Sequence, residues 1–313
     1  AVSPSEPRTV NSQRRPAAVG FHSGELAAQR QAGVQAQAAR LARMVGPAEL
    51  RGGTAAFLAD ARFAALTARD GAGRLWTSPL LAAPGFLQAS GPNTLRIGTT
   101  LPAADPLHSL PAGQAAGLVV VDFTTRRRVR INGILTASDE AGMILDVDQA
   151  YGNCPQYIHR RDITVGDEPL NPARTFQYDG KRLRGGDIRL IESADTFFLG
   201  TTHPEAGNDA SHRGGPAGFV RVTDERLWWP DYPGNNMFNS FGNLAVDPTA
   251  ALLFVDFRTG DTLQLSGTAT VDWAAPAEDH DDQTGRRVLF TPRQVVATAI
   301  PDLTSPARAG QHE

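Results

Sequence analysis

Residues 23–45 carry Leu26, Val34, Leu41 and Val45 as a thin apolar stripe among many Ala and Gln positions. That spacing predicts a helix lying on the outside of something larger. Ser23 can cap it, Glu25 falls in its first turn, Arg40 and Arg43 suit its end, and Gly46-Pro47 stops it. A short helix is expected over 47–51 and another over 54–61. Beyond them the pattern reads as strands over 64–68, 75–81, 85–89, 94–98, 116–123, 129–137 and 143–147, bounded by Gly, Pro, Asp or Asn. Asp70-Gly71-Ala72-Gly73 is a hairpin turn signal. Turn signals at such short intervals argue for a small barrel or sandwich over alternating β-α units.

The chain also repeats itself. Gly117-Leu118-Val119-Val120-Val121-Asp122-Phe123 matches Ala251-Leu252-Leu253-Phe254-Val255-Asp256-Phe257, and Thr125, Gly133 and Thr136 fall on Thr259, Gly267 and Thr270 at the same spacing. Phe63 and Thr67 align with Phe197 and Thr201 at that spacing too, while Pro84-Gly85-Phe86 meets Ala217-Gly218-Phe219 one residue short of it. Two copies imply two similar barrels, each the obvious cover for the other's apolar face, so that one chain mimics a two-fold dimer. The fold expected is mainly β: two tandem split β-barrels with flanking helices forming a pseudo-dimer. The boundaries read as a mobile arm over 1–18, a first domain over 19–165, a second over 166–304 and a mobile tail over 305–313. Ligand sites in such an arrangement sit in the interdomain cleft.

Composition narrows the function. A chain of 313 residues with 41% hydrophobic content suits about two domains and a sizeable core. Lys+Arg 30 against Asp+Glu 33 leaves a net charge of -3, which does not favour nucleic acid or an anionic membrane as a partner. No apolar run is long enough for a transmembrane helix. Arg14-Arg15 resembles a twin-arginine signal, but no apolar run follows it. Cys154 is the single cysteine, which excludes an internal disulfide or a multi-thiolate zinc site and fits a reducing cytoplasm.

The two copies differ in chemistry. Where the first has Trp76-Thr77-Ser78-Pro79-Leu80-Leu81, the second is rich in hydrogen-bonding groups, ending in Ser211-His212-Arg213-Gly214-Gly215. Asp105-Pro106-Leu107-His108-Ser109 likewise faces Asn239-Ser240-Phe241-Gly242-Asn243. Such polar density needs a polar ligand or water, so one principal site is expected, furnished mostly by the second copy. Hydroxyl, imidazole, guanidinium and flexible glycine amides together suit an anion such as phosphate; a solvated hairpin is the alternative. The run 233–244 begins as a turn and becomes a helix near Asn239, a second phosphate seat or simple capping. Cys154 reads as a packed or ligand-contacting thiol, Asp279-His280-Asp281-Asp282 as an acidic loop tip, and Arg126-Arg127-Arg128 as a solvated hairpin end. Trp228-Trp229 is expected to pack within the second copy. No dinucleotide, nucleophile-elbow or zincin motif occurs.

Phe21-His22-Ser23-Gly24-Glu25, Gly152-Asn153-Cys154-Pro155-Gln156-Tyr157-Ile158, Ser211-His212-Arg213-Gly214-Gly215 and Pro233-Gly234-Asn235-Asn236 resemble a tandem, two-barrel branch of the pyridoxamine 5'-phosphate oxidase-like, FMN-binding split-barrel superfamily. The resemblance covers roughly residues 20–300 and implies FMN in the cleft between barrels. By position it gives the phosphate to Ser211 and Arg213 on a strand and to Asn239 and Ser240 at a helix start. His212, Asn235 and Gln264 fall near the isoalloxazine or ribityl chain, and Asn153 and Cys154 close the cleft from the other copy. The chain has Asn239-Ser240 in place of the Arg-Lys pair of authentic pyridoxamine phosphate oxidases, and no substrate-phosphate Arg set near its C-terminus, which argues against vitamin B6 oxidation. The function implied is an FMN-dependent oxidoreductase acting on a small molecule. NAD(P)H or a reductase would supply electrons, and the chain would act as a monomer with an internal pseudo-dimer or as a homodimer. The alternative is a non-catalytic flavin or haem carrier.

Overall fold

Strand alternation and turn placement order most of the chain into two sheets of the same design. The computed structural model describes residue 25 and residues 49–152, 157–165, 174–232, 239–273, 285–301 and 303–304. The first half contains helix α1 (Gly52–Asp60), then β1 (Phe63–Arg69), β2 (Leu75–Leu81), β3 (Leu87–Ala89), β4 (Thr94–Ile97), β5 (Gln114–Asp122), β6 (Arg127–Asp139) and β7 (Gly142–Gly152). After β8 (Thr164–Val165) and β9 (Thr175–Gly180), the second half repeats the plan. It has α2 (Gly185–Ser193), β10 (Thr196–His203), β11 (Gly207–Gly214), β12 (Arg221–Thr223), β13 (Arg226–Pro230), an added helix α3 (Asn239–Val246), β14 (Thr249–Val255), β15 (Asp261–Asp272) and β16 (Arg287–Ala299). β17 (Leu303–Thr304) pairs back onto β8.

The strand orders are β2-β1-β5-β6-β7-β4-β3 and β11-β10-β14-β15-β16-β13-β12, position for position the same path. This is the tandem split-barrel architecture expected. Gly133 and Gly267 mark the same β-bulge in β6 and β15. At each a Cβ would run into a carbonyl of the next strand, of Asp146 or of Thr291, so glycine is required.

Alternation on the central strands builds three cores. Ala64, Leu66, Leu118 and Val120 face into the first barrel; Phe197, Leu199, Leu252 and Phe254 face into the second. The opposite faces, with Phe63, Ala65, Val119, Val121, Phe198, Leu253 and Val255, meet between the halves. The repeated Asp-Phe pair closes this interface. Phe123 and Phe257, counterparts of each other, touch edge to face with centroids 5.1 Å apart, an isologous contact inside one chain. Asp122 and Asp256 turn the other way and accept the backbone N–H groups of their own hairpin turns.

Several expectations change. Residues 49–51 are not helical, because the Leu50 side chain is buried in the first core and its N–H donates to the Pro92 carbonyl. The strand expected over 85–89 starts only at Leu87, after Gly85 turns at φ 95, whereas that over 143–147 runs on through Gly152. The alignment of Phe63 with Phe197 is one residue out of register. Ala65 lies opposite Val119 and Phe198 opposite Leu253, so Ala65 corresponds to Phe198. A one-residue slip exchanges faces, and Phe63 accordingly lies between the halves while Phe197 fills the second barrel. The helix expected over 23–45 and the acidic tip 279–282 lie outside the described residues, apart from Glu25, which is helical and buried. Trp229 packs in the second core as expected.

Candidate functional site

β11 pairs along its length with β10, and its side chains alternate between two environments. Asn208, Ala210 and His212 face the first half: Asn208 Nδ2 donates to the Ala115 carbonyl, and Ala210 belongs to the core between halves. Asp209, Ser211 and Arg213 form the other row. Ser240, on the first described turn of α3, approaches that row because Phe241 and Leu244 bury in the second core and Asn243 Nδ2 donates to Thr201 Oγ1 at 2.9 Å.

Three of the expected residues meet there. Arg213 Nη2 donates to Ser240 Oγ at 2.7 Å, Arg213 Nε donates to Ser211 Oγ at 3.2 Å, and the two hydroxyls are 3.4 Å apart. Among the described residues no carboxylate lies within ion-pair distance of this guanidinium. Burial, and then the nearby charge of Arg130, pushes the Arg213 pKa down to about 10, which leaves it charged at neutral pH. Among the described residues two hydroxyls are the hydrogen-bond partners of this half-buried cation, an arrangement that can accept an anion.

Beside it, Asp209 gathers three partners from the other barrel. Arg130 Nη1 donates to Asp209 Oδ2 at 3.1 Å, Asn132 Nδ2 to Oδ1 at 3.2 Å, and the Tyr151 hydroxyl to Oδ1 at 3.5 Å. Burial opposes the Arg130 charge, but Asp209 and Tyr151 outweigh it and raise its pKa. Burial, then Asp209, raises that of Tyr151. Glu25, also buried, acts electrostatically on both. Asn132 Oδ1 is buried without a hydrogen-bond partner among the described residues.

His212 lies on the opposite face of β11 from Ser211 and Arg213. Its Nδ1 accepts from Arg128 Nη1 at 2.9 Å, its ring meets Phe198 edge-on at 5.8 Å, and Nε2 is buried without a partner among the described residues. Burial, then Arg128, Arg161 and Arg213, holds its pKa well below the ordinary histidine value, so the ring is neutral and Nε2 carries the proton. Arg128 is therefore not the solvated hairpin end expected; only Arg126 and Arg127 are exposed there.

Gln264 does not join this group. It occupies the repeat position of Arg130, since Val119 opposes Arg130 as Leu253 opposes Gln264. Symmetry thus carries it to the other junction, where Gln264 Nε2 donates to the Thr77 carbonyl at 3.0 Å and to Ser78 Oγ at 2.9 Å. At that junction Ser78 is the counterpart of Ser211, each opposite the equivalent leucine, Leu66 or Leu199, of β1 or β10. Ser78 Oγ donates to Asp105 Oδ1 at 2.7 Å, and the Arg174 guanidinium pairs with the same carboxylate. The protein's own anion sits between a serine hydroxyl and an arginine there. At the Ser211 junction the hydroxyls and the arginine are present, Asp209 is paired with Arg130, and among the described residues no carboxylate pairs with Arg213. Asn235, Asn153 and Cys154 lie outside the described residues, and Asn239 is placed only as the first described residue of α3.

Asp209, Arg130, Asn132 and Tyr151 are not among the site residues expected from the sequence. Their signal was the polar alternation of Arg130 and Asn132 on a strand otherwise built of Val129, Ile131 and Ile134. Among the described residues no group of histidine, cysteine and acidic side chains could hold a metal, and no helix is long and apolar enough to cross a membrane.

Residues 189–297 match the family model described as Pyridoxamine 5'-phosphate oxidase. No curated protein matches the chain. Similar solved structures include HupZ of Group A Streptococcus, at 11% identity and TM-score 0.31, covering 36% of this chain and 91% of that one. A putative pyridoxamine 5'-phosphate oxidase of Lactobacillus delbrueckii has 15% identity and TM-score 0.30, with 36% and 93% covered. An FAD binding protein of Mycobacterium smegmatis has 14% identity and TM-score 0.26, with 40% and 97% covered.

Proposed function

Taking this chain as a member of the pyridoxamine 5'-phosphate oxidase-like split-barrel superfamily, we propose that it is an FMN-binding flavoprotein. It would hold one cofactor at the junction of its two barrels and act as an oxidoreductase on a small molecule in the cytoplasm. The observation that carries the reading is the contrast between the two junctions. The Ser78 junction has its anion built in as Asp105, paired with an arginine, whereas at the Ser211 junction Asp209 is taken by Arg130 and no carboxylate among the described residues lies within ion-pair distance of Arg213. A terminal phosphate satisfies that set: the Arg213 fork, the Ser211 and Ser240 hydroxyls, and Arg130 nearby as a second positive charge.

The remaining groups suit the polar part of the same ligand. Asn132 Oδ1 can accept a hydrogen bond, and the Asp209 cluster holds Arg130 and Asn132 in place from the first barrel. His212, neutral and on the far face of β11, holds Arg128 in place rather than moving a proton. When bound, FMN supplies hydride and single-electron transfer, and the chain's part is to seat it, orient it and limit water around it. NAD(P)H or a reductase is the electron source in this reading.

Protein as purified should show the paired visible bands of an oxidised flavin, which NADPH bleaches and air restores. Arg213→Ala should lose the colour on dialysis. A colourless chain that takes up no added FMN would refute the reading, and a flavin that binds but does not turn over with any donor would make the chain a carrier. A Soret band would assign the cleft to haem.

A further inference from the structure

A cavity of about 560 Å³, lined by none of the Ser211 row, lies between the segment 159–162, the end of α2, the start of β10 and the turn after β14. Its volume is in the range of small-molecule sites. Its base is Arg161, fixed from several sides. Nη2 donates to Asp195 Oδ1 at 2.6 Å and to Thr196 Oγ1 at 3.3 Å, and the guanidinium lies over the rings of Phe257 at 4.6 Å and Phe123 at 5.4 Å. Leu190, Phe254 and Val255 give it apolar wall.

The three acids of the lining are already engaged in support. Asp195 is taken by Arg161, Asp256 caps the turn that follows β14, and Asp162 accepts from Thr124 Oγ1. The donors are not used up. Arg161 Nε is buried with no partner, and the exposed Arg160 and Arg258 side chains make no hydrogen bond or ion pair among the described residues. His159 adds an imidazole whose Nε2 donates to the Gly215 carbonyl at 2.7 Å. A rigid cationic base, two unengaged guanidinium forks at the rim and apolar wall between them select an acceptor-rich ligand with a short carbon frame.

We propose that this cavity binds a small dianion bearing carboxylate or phosphate groups, and that it is separate from the Arg213 seat. The test uses the full chain carrying Arg213→Ala, so that the other seat is disabled, with succinate and inorganic phosphate titrated separately by calorimetry. Arg160 and Arg258 are exposed, so replacing both with alanine leaves the fold intact, which an unchanged thermal transition verifies. At least one probe should bind the Arg213→Ala chain, the better one telling whether the site prefers carboxylate or phosphate. Arg160→Ala/Arg258→Ala in the same background should weaken it tenfold or more. Absence of binding by both probes to the Arg213→Ala chain, or a smaller loss in the combined variant, overturns the proposal. Neither result bears on FMN, whose seat is read from the chain with Arg213 intact.

Discussion

Replacing Asp209 with asparagine removes one charge from the buried cluster that ties the barrels together and changes almost nothing in volume. The side chains of Arg130 and Asp209 are 8% and 4% exposed, so bulk water is poorly placed to solvate the guanidinium once this carboxylate is neutralised. Breaking a buried pair by neutralising one partner costs about 3–5 kcal/mol, because the other charge stays desolvated. Asparagine keeps an acceptor for Asn132 and Tyr151, so the loss is dominated by Arg130. Arg130→Gln should cost a similar amount by stranding the carboxylate. The double variant removes both charges and leaves at position 130 the residue that Gln264 supplies at the equivalent place in the second half. It should recover a coupling energy of about 1.5–3 kcal/mol. Equilibrium urea unfolding of the four proteins, followed by tryptophan fluorescence and by circular dichroism, measures each free energy and the coupling. Single variants within about 1 kcal/mol of the parent, or a double variant whose loss equals the sum of the singles, would refute the view that this pair is desolvated and mutually dependent.

Other expected outcomes are shorter to state. His212 is held neutral in the fold while an unfolded histidine takes up a proton near pH 6.5, so its contribution to stability is complete above that pH and is lost as pH falls below it. His212→Gln should flatten the decline below pH 6.5 by up to about 1.4 kcal/mol per pH unit, measured by urea midpoints; an unchanged slope would mean the ring is charged in the fold. Gly117 lies against β11, where a Cβ would come within 2.8 Å of the Asn208 carbonyl oxygen and 2.9 Å of the Ala210 nitrogen. Gly117→Ala should destabilise by about 1–3 kcal/mol in thermal unfolding, although the second copy carries Ala251 at that repeat position; a neutral result would show that the halves are more loosely apposed.

What was legible in the sequence follows from how local each signal is. The Asp-Phe repeat announced itself because both residues do work in each copy, the aspartate closing a turn and the phenylalanine meeting its own counterpart. Ser211, Arg213 and Ser240 stood out as polar residues in a strand and helix that bury their neighbours. Pairings that cross the two halves left no such mark. Asp209 finds Arg130, and Arg174 finds Asp105, only after both barrels are docked. Gln264 illustrates the converse. Its repeat position equates it with Arg130, and symmetry therefore sends it to the junction that Ser211 does not share. The slip that aligned Phe63 with Phe197 arose because two phenylalanines sit near the start of β10, and side-chain identity cannot tell which of them faces inward.

The central claim is that one junction takes an external anion while the other carries its own. It is tested most directly by titrating FMN onto flavin-free chain and counting sites by fluorescence quenching. The account predicts one FMN per chain, lost when Arg213 is changed to leucine, the residue found at the equivalent position 80 of the first copy. Two equivalents per chain, or a single site indifferent to Arg213→Leu, would contradict it.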